Sequence, residues 1–179
     1  MKKYIILPFV FIVLFSFQAF AQLEIGASYE IRDKAPENGF GLRVQKGMLE
    51  KVPLVNLGLR AHFSYFNEEN RISGSDGPTT GEITNYDFGL AAVGGVSLGL
   101  IEPYIGLGLG SETVDLNYDV SGPNEESNFY WNTFVGAKVS VIPVLKPFVE
   151  YRYSNKELSE PTISAKENDR IIFGVSLSF

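Results

Sequence analysis

The sequence predicts an all-β protein, an eight-stranded antiparallel up-and-down transmembrane β-barrel, and three observations predict it. Eight segments alternate apolar and polar residues with a period of two. The connections between them differ in kind by turns, compact and apolar at one end, longer and polar at the other. Glycines and charges share the polar parity of the strands, which turns that parity inward.

The chain of 179 residues begins with Lys2 and Lys3, an apolar run from Tyr4 to Phe17, and small residues at Ala19 and Ala21 just before Gln22. This pattern predicts a secretory signal peptide over residues 1–21, cleaved between Ala21 and Gln22. Residues 22–179 are then the barrel domain, with 13 basic and 21 acidic side chains and a net charge of −8. The absence of cysteine excludes a disulfide framework, a thiolate metal site, a cysteine nucleophile and an acylated-cysteine anchor. A pI near 4.9 argues against nucleic acid as a partner. No second apolar stretch is long enough for a membrane helix, so a membrane-embedded mature chain must be a closed barrel.

Each strand is justified by which residues share a parity. The first places Leu23, Ile25, Ala27, Tyr29 and Ile31 opposite Glu24, Gly26, Ser28, Glu30 and Arg32. The second alternates Phe40, Leu42 and Val44 with Gly41, Arg43 and Gln45, and the third alternates Leu57, Leu59, Ala61, Phe63 and Tyr65 with Gly58, Arg60, His62 and Ser64. In the fourth, Tyr86, Phe88, Leu90 and Ala92 oppose Asn85, Asp87, Gly89 and Ala91. The fifth sets Ile105, Leu107 and Leu109 against Tyr104, Gly106, Gly108 and Gly110, then loses its alternation near Ser111, where a bulge is expected. The sixth opposes Trp131, Val135, Ala137 and Val139 to Asn132, Phe134, Gly136 and Lys138. The seventh and eighth carry Val149, Tyr151, Tyr153 and Ile171, Phe173, Val175, Leu177, Phe179 on one parity, with Glu150, Arg152 and Arg170, Gly174, Ser176 on the other.

Compact turns carry Pro53, Pro103, Pro143 and Pro147, whereas residues 33–38, 67–83, 118–128 and 155–168 read as polar loops with charges of −1, −3, −3 and −1, the whole charge of the mature chain. Glycine decides which face is inside. A solvated outer face has no steric need for it, and the interior of an eight-stranded barrel, just wide enough for side chains, does. Gly26, Gly41, Gly58, Gly89, Gly106, Gly108, Gly110, Gly136 and Gly174 all lie on the polar parity. So do Glu24, Glu30, Arg32, Arg43, Arg60, Asp87, Lys138, Glu150, Arg152 and Arg170, the predicted interior charge network. A lysine or arginine facing lipid at mid-bilayer costs about 2–4 kcal/mol, whereas enclosed charges of both signs pair. Tyr29, Phe40, Tyr65, Tyr86, Trp131 and Tyr153 fall at the loop-side ends of the apolar parity, where an interfacial aromatic girdle belongs.

The terminal run Gly174-Val175-Ser176-Leu177-Ser178-Phe179 resembles the closing strand of bacterial outer membrane β-barrels, in which a glycine, an apolar residue and a final aromatic form a G-x-x-Φ-x-Φ insertion signal. Gly174, Leu177 and Phe179 match it, and Ile172 stands where a polar residue is usual. Pro103 to Gly108 and Pro147 to Tyr153 likewise resemble strands of the small OmpA-like, OmpX-like and opacity-type domains. The resemblance implies the bacterial outer membrane, outer membrane lipids as surroundings and the barrel-assembly machinery as a partner.

Chemistry is weakly signalled. His62-Phe63-Ser64 places an imidazole and a hydroxyl on one parity and resembles the His and Ser of outer membrane lipid A deacylases, but with interior parity, and Tyr153-Ser154-Asn155 follows Arg152 where those enzymes need histidine. Both therefore read as structural, and no catalytic residue is assigned. Glu150 and Arg152 fit a structural pair better than a gate, and the acidic pairs Asp76 with Glu82 and Glu125 with Glu126 offer too few oxygens for Ca²⁺, so no metal site and no cofactor are predicted. The expectation is a non-enzymatic monomer with a structural or surface-interaction role, its loops meeting any extracellular ligand. A narrow channel gated by interior charge pairs and a soluble lipocalin-like ligand-binding barrel are the alternatives.

Overall fold

The period of two becomes a closed sheet in the computed structural model of the protein. The structure describes residues 23–49, 54–74, 77–117, 125–142, 144–158 and 165–179. The leader with Ala19, Ala21 and Gln22 lies outside these residues, as do Pro53, Asp76 and Pro143. The strands are β1 (Leu23–Arg32), β2 (Asn38–Leu49), β3 (Val55–Gly74), β4 (Gly77–Val96), β5 (Ile101–Asn117), β6 (Glu125–Val139), β7 (Leu145–Asn155) and β8 (Glu167–Ser178). Each pairs antiparallel with the next, and β8 returns to β1 with Ile25 opposite Leu177 and Arg32 opposite Arg170. Closure leaves the ladder without an edge over its common height, which lipid demands of any strand that crosses it.

The polar parity is the inside. Arg60, Asp87, Glu150 and Arg170 are buried, and Leu42, Leu90, Leu107, Leu109, Val135 and Phe173 form part of an exposed apolar belt. This arrangement excludes the lipocalin-like alternative, whose apolar face would line the interior. At the loop-side end of the belt, Tyr29 meets Phe40 with ring centroids 5.6 Å apart, Tyr65 meets Tyr86 at 5.5 Å, and Trp131 meets Tyr153 at 5.6 Å. Rings pair across strands there, and Tyr29 donates its hydroxyl proton to Asn38 Oδ1 at 2.7 Å. The result is an aromatic collar with apolar bodies against lipid and polar tips toward water.

Interior glycines make room for interior rings. Tyr104 lies opposite Gly136, Phe134 opposite Gly106, Tyr130 opposite Gly110, Phe148 opposite Gly174 and Phe66 opposite Gly39. A Cβ at Gly106 would enter the Phe134 ring, and one at Gly110 would enter the Tyr130 phenol. Small beside large across the ladder is how a narrow lumen fills without clash.

Three expectations need correction. β5 runs through Ser111 without a bulge, in register with Phe88 on one side and Phe129 on the other. What changes at Ser111 is the surroundings: beyond the aromatic collar the outward residues are Ser111, Thr113 and Asp115, and the inward ones include Val114 and Leu116. Parity is kept while polarity inverts, because the strand has left the lipid. The ladder's irregularity lies instead in β2, between Gly47 and Leu49. Residues 67–83 are not a loop; β3 and β4 pair continuously to Gly74 opposite Gly77. Pairing of β2 with β3 stops at Gly39 and Phe66, and that of β4 with β5 at Glu82 and Asn117, so the end of this hairpin stands as a two-stranded ribbon above the barrel. Likewise, residues 125–128 of the expected loop 118–128 belong to β6.

Candidate functional site

The side chains with chemical potential converge in the lumen, because eight strands of period two each aim alternate residues at one axis. They sort into two clusters along that axis. Near the short turns, Glu24 Oε2 takes Lys138 Nζ at 2.6 Å and Glu24 Oε1 takes Arg43 Nη2 at 3.1 Å. Arg43 also donates to Ser176 Oγ at 2.7 Å and stacks 3.2 Å from the Phe148 ring centroid. Glu150 is the hub of this half. It accepts from Arg60 Nη1 at 2.5 Å, Arg152 Nη2 at 2.7 Å and the Tyr104 hydroxyl at 2.9 Å, with Arg43 Nη1 at 3.7 Å.

Nearer the loops, the fully buried Asp87 is the second hub. Arg170 and the Tyr130 hydroxyl donate to it at short range, and Arg32 lies 3.7 Å away. His62 Nε2 is 3.1 Å from the Tyr130 oxygen; since Tyr130 gives its proton to Asp87, His62 is the donor of that bond, its proton on Nε2. Glu30 accepts from Ser64 at 3.0 Å and from Ser28 at 3.2 Å, with Arg170 at 3.5 Å. Arg32 donates to Glu112 at 2.9 Å and to Asn85 at 3.1 Å, and its guanidinium lies 3.4 Å over the Phe66 ring. Lys156 descends onto the other oxygen of Glu112.

All ten residues singled out in the sequence as interior charges are thus buried in the lumen, where they meet through the two hubs and Glu24. Sequence reasoning omitted Glu112 and Lys156. The signal was present, since an even count from Tyr104 reaches Glu112 and one from Glu150 reaches Lys156. Residue type stops marking the inward parity past Ser111, and Lys156 stands just beyond the end of β7, in a stretch that is polar on both parities.

The catalytic echoes do not assemble. Ser64 gives its hydrogen to Glu30, while His62 is engaged with Tyr130 and lies 3.5 Å from Asp87. Ser154 is buried and its Oγ has no hydrogen-bond partner among the described residues, with the neighbouring Arg152 held by Glu150. Glu82 accepts from Asn67 at 2.5 Å and Glu126 from Asn128, and among the described residues no three His, Asp or Glu side chains gather as a metal site requires. Gly174 faces the lumen under Phe148, whereas Leu177 and Phe179 point outward, the latter 70% exposed.

An apolar exterior, a filled ionic lumen and one aromatic collar define a transmembrane barrel of the bacterial outer membrane. The chain belongs to the outer membrane protein beta-barrel domain family, whose model matches residues 7–179. Among solved structures it is similar to Neisserial surface protein A, at 15% identity and a TM-score of 0.60, covering 89% of this chain and 97% of that one. It is also similar to Ail, the attachment invasion locus protein of Yersinia pestis, in complex with the heparin analogue sucrose octasulfate (14% identity, TM-score 0.57, 89% and 97% covered). The N-terminal β-barrel domain of Pseudomonas aeruginosa OprF is a third (14%, TM-score 0.58, 88% and 97%). At these identities the likeness is one of fold. A search of curated proteins finds no match.

Proposed function

We propose that the protein is a non-enzymatic, monomeric outer membrane barrel with a structural or surface-interaction role, exercised through the β3–β4 ribbon and the polar loops. The observation that carries this reading is the contrast between a lumen closed by side chains and a hairpin that continues above it. Arg60, Glu112, Tyr130, Phe134, Glu150 and Arg170 are almost wholly buried across the lumen, and bulk solute has no aqueous path where side chains fill the barrel. Residues 1–21 are the leader, 22–179 the barrel domain, and Gly174, Leu177 and Phe179 the signal read by the barrel-assembly machinery. Ail was captured with a sulfated heparin analogue. The rim here bears Glu68, Glu69, Glu82, Asp115, Glu125 and Glu126, so its partner class is neutral or basic rather than polyanionic.

Planar-bilayer recordings test the sealed lumen. No conductance steps are expected from wild type or from a folded Glu150→Ala variant, and steps in either would transfer the role to the channel reading. That second reading is favoured by one observation, a polar cavity of about 150 Å³ at the loop-side mouth and one of about 20 Å³ at the other end. His62→Ala is expected to leave lipid A acylation unchanged, and altered acylation would make the protein an enzyme.

A further inference from the structure

The end of the barrel opposite the collar is built unlike an aqueous rim. Its turns expose Leu54, Leu98, Leu100, Val141, Ile142 and Val144, each between 49% and 68% accessible. The turns are tied to their neighbours: Ser97 N–H donates to Leu54 C=O at 2.8 Å, Ser140 to Leu100 at 2.8 Å and Ser178 to Val144 at 2.8 Å. The apolar side chains therefore form one continuous, fixed surface. Two charged side chains beside it turn toward the lumen, where Lys146 Nζ holds Glu102 Oε1 at 3.0 Å and Ser140 Oγ donates to the same oxygen at 2.8 Å. Lys46, on the outward parity of β2 opposite Leu59, is the charge of this end that faces the lipid side among the described residues.

Depth identifies what covers this surface. From the collar to the turns there are 12 residues along β4 (Tyr86 to Leu98), 11 along β3 (Tyr65 to Leu54) and 10 along β6 (Trp131 to Val141). A tilted strand needs about 9–11 residues to cross the hydrocarbon core. On these three strands the crossing is complete where the turns begin, and the polar margin there is thin, Asn56 donating to Ser97 Oγ at 2.8 Å beside Leu54 and Leu98. A contiguous apolar patch of this kind in water calls for a partner, and the lipid-facing belt runs into it along β3 and β4 through Leu57, Val55 and Val96.

We infer that the periplasmic turns at Leu54, at Leu98–Leu100 and at Val141, Ile142 and Val144 are immersed in the inner leaflet, packed against phospholipid acyl chains rather than facing the periplasm. The barrel is held at one face by the aromatic collar and at the other by aliphatic turns sunk below the headgroups.

Trp131 is the sole tryptophan, so W131F supplies a tryptophan-free background. In it, I142W and L98W are reconstituted in phosphatidylcholine vesicles with acyl-brominated lipid, beside L107W on the lipid-facing belt and L158W in the loop beyond the collar. Folding is checked in each by the heat-dependent shift in electrophoretic mobility. The inference predicts that I142W and L98W lose at least half the emission fraction lost by L107W, and resist aqueous acrylamide that quenches L158W. Acrylamide quenching without bromine quenching would place the turns in water and overturn it. Resistance to both quenchers, together with a crosslinked dimer, would assign the surface to a second copy and overturn it equally. If one tryptophan variant does not fold, the other carries the test.

Discussion

The two halves of the lumen solve one problem with different stocks of charge. In the half nearer the turns, Glu24 and Glu150 face Arg43, Arg60, Lys138 and Arg152. In the half nearer the loops, Glu30, Asp87 and Glu112 face Arg32, Lys156 and Arg170. Among the described residues, and leaving aside the self-cancelling Glu102–Lys146 pair at the mouth, the first half runs two carboxylates against four cations; the second is balanced. Each carboxylate in the cation-rich half thus restrains more like-charge repulsion, and Glu150 restrains most. The difference teaches that the loss of one side chain should be judged by how many cations lose their counter-ion.

The largest effect follows from Glu150→Ala, which leaves Arg60, Arg152 and Arg43 facing one another. Uncompensated buried charge costs about 3–5 kcal/mol, and this variant is expected at or above that range in urea unfolding from vesicles. Asp87→Asn should cost less, about 2–3 kcal/mol, because Arg170 keeps Glu30 and Arg32 keeps Glu112. Equal losses in the two variants would break the comparison. Gly106→Val tests packing rather than charge: its side chain must displace the Phe134 ring, at about 1–3 kcal/mol. Smallest is Lys156→Gln, expected near 1 kcal/mol, since Glu112 retains both Arg32 and Asn85. A larger loss there would show that the balanced half is not as redundant as its contacts indicate.

How much of this was legible in the chain depends on where lipid imposes a rule. Between the collar and the turns the outward parity is mostly apolar, Lys46 on β2 excepted, and from Leu57 to Tyr65 or Ile105 to Leu109 parity can be read directly from residue type. Past the collar that rule lapses. Ser111 and Thr113 face water while Val114 faces inward, so the same geometry carries the opposite polarity and the strand looks broken. The β3–β4 ribbon is hidden for the same reason: residues such as Asn67, Glu68 and Glu69 are polar on either parity, so their pairing shows in the backbone register and not in residue type. The lumen charges were legible because charge has no other place in a membrane strand. Glu112 and Lys156 were missed because they lie beyond that zone.

Lys156 closes the root of the last connection. Its side chain is pinned to Glu112, its N–H donates to Lys166 C=O at 2.9 Å, and Asn155 pairs with Glu167 directly beneath. The two ends of the segment are therefore fastened to each other and to the barrel through Asn155, Lys156, Lys166 and Glu167. Foreign peptide grafted between Glu157 and Ala165 should be displayed on the cell surface without disturbing assembly, which makes this connection a natural insertion point for engineering.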